Sequence, residues 1–316
     1  MTDKLVTVFG GGGFVGRYVV QALLRGGARV RVAQRDPRQA WFLKPLGGLG
    51  QTQFVAADVT RPDTVANAVA GADAVVNLVG VLAGKFDAIH VAGARAVAGA
   101  AARAGVRTLV HLSAIGADAG AESAYARTKG EGEAAVREAF PAAIIVRPSI
   151  VFGREDAFIN RFAAMIEKAP VVPVLRSATR FQPVFAADVG DAVAAAIAGD
   201  ATGGNAGMTY ELGGPDILSM GQVIRWIATT IGRDPTIVEL PDFAGAMIAR
   251  AGFLPGAPIT WDQWLMLQHD NIVGSGAPGL ADLGIVPTPL AAVAPEWMVR
   301  FRRQGRFGRR SADLAA

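Results

Sequence analysis

Six short apolar runs in the first 150 residues, separated by five longer amphipathic stretches, restrict this chain to few folds. The runs cover 4–10, 28–34, 52–58, 73–80, 107–113 and 142–148, and helical spacing fills 14–25, 62–70, 87–104 and 123–139, with a weaker segment at 38–47. A short apolar run suits a strand buried on both faces, whereas a period near 3.6 suits a helix packed on a sheet. Strand and helix in strict turn demand crossover connections, so the expected class is α/β, a doubly wound parallel sheet with helices on both faces. Residues 1–150 are read as one such domain. The rhythm then loosens. Helices are expected at 156–168, 188–198, 219–231, 241–251 and 261–269, interleaved with Pro-containing 169–175, strand-like 181–189, "MTYELGGPD" at 208–216 and a strand at 236–240. This is read as a smaller mixed α/β substrate portion over 151–295, with parts of 181–205 returning to the sheet, followed by a basic tail at 296–316.

The first strand runs into "VFGGGGFVGR", residues 8–17, where Gly10, Gly13 and Gly16 form G-x-x-G-x-x-G. Glycine gives up more backbone freedom on folding than other residues, so the turn must bend tightly or be approached closely. A helix N-terminus offers unpaired N–H groups and a positive dipole end, which suits a pyrophosphate if no side chain intervenes. Gly10 makes the turn, Gly13 admits phosphate, and Gly16 lets helix 14–25 pack on the strand. Gly10, Gly12, Gly13, Phe14, Val15, Gly16 and Arg17 are the expected contacts of a nicotinamide dinucleotide. An NAD site usually carries an acid about 20 residues further on. Here Gln34 and Arg35 precede Asp36. Gln34 does not repel a 2′-phosphate and the guanidinium of Arg35, joined by Arg17, can pair with one, so NADP(H) is favoured over NAD(H). Asp58 and Val59 in "AADVT", with Asp58 placed for the adenine amino group, and Leu78, Val79 and Gly80 in "NLVG" end strands at the carboxyl edge, where ligands of open sheets sit. Pro148 and Ile150 in "RPSIVFGRED", together with Tyr125 and Lys129, complete the expected cofactor contacts.

"YARTK" places Tyr125 and Lys129 four apart, on one helix face. A phenol is a poor acid–base at neutral pH, but a neighbouring ammonium and a cationic nicotinamide favour its phenolate. Ser113, at the end of the fifth strand, can hydrogen-bond a substrate carbonyl. The chain holds five lysines against 26 arginines, so the lysine kept here suggests a need for a compact ammonium that also reaches ribose hydroxyls.

Composition narrows the alternatives. There is no cysteine, which excludes disulfides and thiolate chemistry. His90, His111 and His269 lack ligand spacing and are read as structural or surface residues, so no metal is expected. The net charge of +4 includes six arginines at 300–310, leaving about −2 elsewhere, which argues against a nucleic-acid surface. No apolar run approaches the ~18 residues of a membrane span, no signal pattern precedes residue 4, and a cytoplasmic protein is expected. In "EWMVRFRRQGRFGRR", 296–310, Trp297, Met298, Val299, Phe301 and Phe307 alternate with the arginines. That mixture suits an anionic membrane surface, here the inner face of the cytoplasmic membrane, or an acidic partner.

Together "GGGGFVGR", "ADVT", "NLVG", "HLSAIGA", "YARTKGEGE", "RPSIVFGRED" and "FQPVFAADVGDAV" resemble the extended short-chain dehydrogenase/reductase superfamily over nearly the whole chain. The resemblance implies a Rossmann fold, catalytic Tyr125 and Lys129 assisted by Ser113, and glycines that hold NAD(P). More narrowly, "EAFPAAIIVRPSIVFGREDAFINRF" and "RFQPVFAADV" are similar to the dehydrogenase-like accessory subunits of respiratory complex I and their bacterial relatives. That similarity implies tightly held NADPH, no established turnover and a respiratory complex as partner. One departure stands out: Ser113 precedes Tyr125 by 12 residues, about half the separation usual in extended members. The substrate-contacting loop is then short, and Ser123 is an alternative hydroxyl. Two readings follow: an NADP-dependent oxidoreductase or epimerase for a carbonyl or hydroxyl compound such as a quinone precursor, or a nucleotide-loaded assembly factor.

Overall fold

On the first strand Val6 and Val8 point to one face and Thr7 and Phe9 to the other, and all four are buried, which places this strand at the centre of a sheet covered on both faces. In the computed structural model, which describes all residues except 201–203, 255–256, 304 and 306–316, the chain divides into two units. The first comprises Met1–Pro148, Ala186–Gly213 and Val273–Pro287. Its strands are β1 (Leu5–Phe9), β2 (Arg29–Gln34), β3 (Thr52–Ala56), β4 (Ala74–Asn77), β5 (Thr108–Leu112), β6 (Ile144–Pro148) and β7 (Thr209–Leu212). All seven pair in parallel, in the order β7-β6-β5-β4-β1-β2-β3. Val8 is in register with Val32 on one side and Val76 on the other. Strand order reverses between β1 and β4, so their connections leave in opposite directions and open a crevice at the carboxyl edge.

Five helices flank this sheet: α1 (Phe14–Arg25), α2 (Pro62–Val69), α3 (Ala94–Arg103), α4 (Ala124–Ala139) and α5 (Ala186–Asp200). Each start has a local cause. α2 opens on Pro62, whose missing N–H costs nothing at a first turn. α4 is capped by Ser123, whose Oγ accepts from the Ala126 N–H at 3.2 Å. α2, α3 and the end of α4 bury Val65, Val97, Ala101 and Val136 against Phe9, Val75, Leu109 and Ile145.

Several elements differ from the sequence reading. The weak segment after β2 is a 3-10 stretch, Pro37–Leu46, which opens on one proline and holds a second, Pro45, in its last turn. The stretch from 87 begins as a π-helical turn, Asp87–Gly93, before α3. Strand-like 181–189 is instead two short pairings, Arg180–Phe181 and Val184–Phe185, broken at Pro183, and α5 already begins at Ala186. Thr209–Leu212 crosses back beside β6 as an edge strand.

The second unit comprises Ser149–Phe185, Gly214–Ile272 and Thr288–Ala316. A parallel pair, Val171–Leu175 with Thr236–Leu240, lies among helices Ile159–Lys168, Met220–Thr230, Asp242–Arg250, Trp261–Met266 and Leu290–Met298. Their core gathers Phe152, Ile166, Val172 and Ile224 with Met298 and Phe301. The start of the basic stretch read at 296–316 is part of this core. Trp297 packs on this core and stacks on Phe185 (6.4 Å, 12°), Met298 is fully buried, and Phe301 is buried too. Phe307 and the arginines from Arg306 onward lie outside the described residues. No described helix is long and apolar enough to cross a membrane.

Candidate functional site

The glycine turn lies where β1 meets α1, at the central strand's carboxyl end. Gly10 has φ +78°, a conformation side-chain-bearing residues rarely adopt, and its carbonyl accepts from the Gly13 N–H at 3.0 Å. A Cβ on Gly16 would overlap the Gly10 carbonyl oxygen and lie 2.7 Å from Gly11 Cα. The third glycine is thus required by the turn's own backbone rather than by contact between helix and strand. Gly13 is exposed, and α1 begins with no side-chain cap and no acid in its first turn. The N–H end of the helix therefore faces outward with its positive dipole uncompensated.

Two neighbouring strand ends build the surroundings of this turn. Gln34 is taken up by the protein itself: its Oε1 accepts from the Gly12 N–H (3.0 Å) and its Nε2 donates to the Asp36 carbonyl (2.7 Å). The Asp36 carboxylate accepts from Arg38 Nε (3.0 Å), and that hydrogen bond, with a second from the Arg38 N–H, holds it below the ordinary carboxylate range. Arg35 is exposed, and Arg17 lays its guanidinium over the Phe42 ring, 4.7 Å from the centroid. Asp58 is held low by hydrogen bonds from the Thr60 N–H and hydroxyl, and Val59 is buried. From β4, the Leu78 N–H donates to the Phe9 carbonyl at 3.1 Å, and the Leu78–Val79 peptide lies 3.5 Å from where a Gly10 Cβ would be.

On the other side of β4 the structure brings together Gly80, Tyr125 and Lys129. Lys129 is buried on α4, and its Nζ donates to the Leu112 carbonyl at 3.0 Å. Burial pulls its pKa down to about 8, opposed by Glu133. A Cβ on Gly80 would lie 3.4 Å from that Nζ. Tyr125 is half-buried and meets two rings edge to face, His90 at 5.5 Å and Phe86 at 6.1 Å. Ser113 directly follows β5, the residue after the carbonyl that Lys129 holds; its Oγ is buried and has no hydrogen-bond partner among the described residues. Ser123, the alternative hydroxyl, is committed to capping α4. Pro148 is buried in the first unit and accepts from the Ile115 N–H, whereas Ile150 belongs to the second unit, where its N–H donates to Asn271 Oδ1 at 3.1 Å.

Four further side chains in this region had no sequence signal. His90 Nε2 accepts from the Val81 N–H (3.1 Å), and its Nδ1 contacts Thr128 Oγ1 (3.0 Å). Asn77 Oδ1 accepts from the Val79 N–H (3.2 Å) while its Nδ2 meets His111 Nδ1 (3.2 Å). Burial, reinforced by the Lys129 charge, lowers the His90 pKa to about 4 and that of His111 to about 3. Both rings are therefore neutral at physiological pH. Lone histidines in apolar runs carry no readable pattern. Among the described residues no group of three or more His, Asp or Glu is placed to hold a metal ion.

A parallel sheet ordered 3-2-1-4-5-6 from β3, with a glycine turn at the central strand, defines a Rossmann-type dinucleotide-binding protein. Residues 6–213 match the NAD dependent epimerase/dehydratase family, and the chain belongs to that family. It is 35% identical over 312 residues to NADH dehydrogenase [ubiquinone] 1 alpha subcomplex subunit 9 of Rattus norvegicus, spanning 96% of this chain and 81% of that one. It is also 30% identical over 287 residues to the ceramide reductase of Caulobacter vibrioides, 87% of each chain. An NADPH-dependent quinone oxidoreductase from Escherichia coli, solved with NADPH, superposes with a TM-score of 0.75 at 20% identity over 92% of this chain and 98% of that one, a likeness of fold. Family membership carries nicotinamide-dinucleotide binding. The residues present fit that group: an uncapped helix end, a turn in which Gly10 has a positive φ and a Cβ on Gly16 would strike backbone, and a buried serine hydroxyl without a partner among the described residues.

Proposed function

We propose that this protein binds NADP(H) at the Gly10–Gly16 turn and uses Tyr125 with Lys129 to move a proton on a carbonyl or hydroxyl substrate. The observation that carries this reading is Lys129. An ammonium buried beside Gly80, four residues along α4 from Tyr125, costs stability, and a use in catalysis would account for its presence. Gly10, Gly12, Gly13, Phe14, Val15 and Gly16 would hold the pyrophosphate, Arg17 and Arg35 the 2′-phosphate, and Asp58 and Val59 the adenine. Leu78, Val79, Gly80 and Pro148 would border the nicotinamide half. The bound nicotinamide supplies or accepts a hydride. Tyr125 gives its phenolic proton to a carbonyl oxygen, or takes one from a hydroxyl, and Lys129 favours the phenolate that remains. Ser113 Oγ donates to the same substrate oxygen. The preference for NADP is supported by Asp36, the acid at the end of β2, being engaged by Arg38 while Arg35 stays exposed. Similarity to a ceramide reductase supports a hydrophobic substrate.

A second reading has its own support, the 35% identity with a mitochondrial NADH dehydrogenase subunit along 96% of the chain. In it the nucleotide is a structural component and the protein is an accessory or assembly factor of a respiratory complex at the inner face of the cytoplasmic membrane. Denaturing the purified protein and identifying the released nucleotide tests the shared part. Stoichiometric NADP(H) is expected, and release of NAD or of nothing would defeat it. NADPH turnover that disappears in Tyr125→Phe selects the enzyme. Slow exchange, no turnover and copurification with respiratory subunits select the accessory role.

A further inference from the structure

The chemistry above leaves the buried ring of His90 unused, yet that ring contacts both Val81, in the segment after β4, and α4. Because Nε2 accepts from the Val81 N–H, the proton of the neutral ring sits on Nδ1. Nδ1–H then donates to Thr128 Oγ1 (3.0 Å), whose own hydrogen donates to the Ala124 carbonyl (2.7 Å) one turn earlier on α4. The face of the ring stacks on Phe86 (5.4 Å, 27°), and Tyr125 stands against it almost perpendicularly (88°). Gly132 lets α4 come this close, since a Cβ there would overlap the His90 carbonyl oxygen. The charges facing the ring are Lys129 from α4 and Asp87 on its own helix, with neutral His111 from β5 behind them.

We propose that His90, neutral and protonated at Nδ1, is a positioning residue that clamps the 78–81 segment after β4 to α4 and sets the plane of the Tyr125 ring. A phenol on a helix turns about two soft torsions, and an adjacent aromatic wall removes most of that freedom. A phenylalanine at this position would keep the wall and leave the Val81 N–H without its acceptor. An amide would keep an acceptor and lose the wall. Histidine supplies both. The consequence for catalysis rests on the functional reading above; the clamp itself does not.

The chain holds three histidines and three tyrosines, so imidazole ¹⁵N and tyrosine ring ¹³C resonances of the full-length protein can be assigned singly. At pH 7 His90 should show a protonated Nδ1 and a bare Nε2. His90→Phe should leave the Tyr125 resonance near its parental position while NADPH affinity, measured by calorimetry, falls about tenfold, the scale of one lost buried hydrogen bond. His90→Gln should bring affinity back to within about threefold of the parent, since an acceptor again faces Val81, while Tyr125 shifts toward an unrestrained ring. A protonated Nε2 in the parent at pH 7 overturns the proposal. So does His90→Ala that changes neither the Tyr125 resonance nor the affinity. If the parent binds neither NADPH nor NADH, the functional reading fails, and the tautomer with the Tyr125 resonance still decides the clamp. Where a variant does not fold, the parental tautomer decides alone.

Discussion

Replacing Lys129 by methionine should make this protein more stable, because the ammonium is buried at a net cost. Its side chain is withdrawn from water, and the nearest carboxylate on its helix, Glu133, already accepts from Arg147 Nε (2.9 Å) and Nη2 (2.7 Å). A fall in pKa from 10.5 to about 8 corresponds to about 3 kcal/mol. Methionine fills a similar volume with an adaptable apolar chain, and losing the hydrogen bond to the Leu112 carbonyl returns about 1 kcal/mol of that gain. Lys129→Met should therefore be about 2 kcal/mol more stable at pH 7. The pH dependence follows in sign. The folded-state pKa lies below the unfolded one, so between pH 8 and 10.5 the unfolded chain binds more protons, and the parent gains stability as pH rises. The cost is complete below pH 8 and gone above 10.5, so the advantage of methionine should narrow across that window. Urea denaturation of both proteins at several pH values, followed by far-ultraviolet circular dichroism, measures this. A Lys129→Met protein less stable than its parent at pH 7, or a gap unchanged from pH 8 to 10.5, would refute the reasoning.

Three other outcomes are expected. With pKa values lowered to about 4 and about 3, His90 and His111 stay neutral when folded but protonate near 6.5 when unfolded, so stability should fall as pH drops from 7 to 5, by about 2 kcal/mol each. Urea midpoints that stay flat over that range would count against both burials. Gly16→Ala forces a Cβ onto the Gly10 carbonyl and should lower stability by about 1–3 kcal/mol and remove nucleotide binding, read by thermal unfolding and calorimetry; unaltered binding would show that the turn tolerates opening. Arg35→Asp should weaken NADPH by about 1.5–3 kcal/mol without a matching loss for NADH, and equal losses for both nucleotides would remove Arg35 from the 2′-phosphate.

Much of the first unit could be read from the chain because its information is local. Strand and helix periods, the proline that starts α2, the serine before α4 and the glycines after β1 act within a few residues of themselves, and a buried parallel sheet imposes little else. The spacing of Tyr125 and Lys129 on one helix is local in the same sense, whereas their role remains a proposal. Other features depend on which distant segments the fold brings side by side. Gln34 is read from the sequence as a neighbour of the nucleotide, and only the packing of β2 against the turn shows that its amide also bonds Gly12 and Asp36. Trp297, Met298 and Phe301 have the composition of a membrane-facing tail, yet a core built from residues 150–230 claims them. Strand-like 181–189 gives way to a helix because Pro183 stops pairing and α5 finds a face to pack on. His90 meets Val81, Phe86, Tyr125 and Thr128 only after β4 and α4 are set side by side. A lone histidine has no period, and its partners are chosen by tertiary register, which no local pattern encodes.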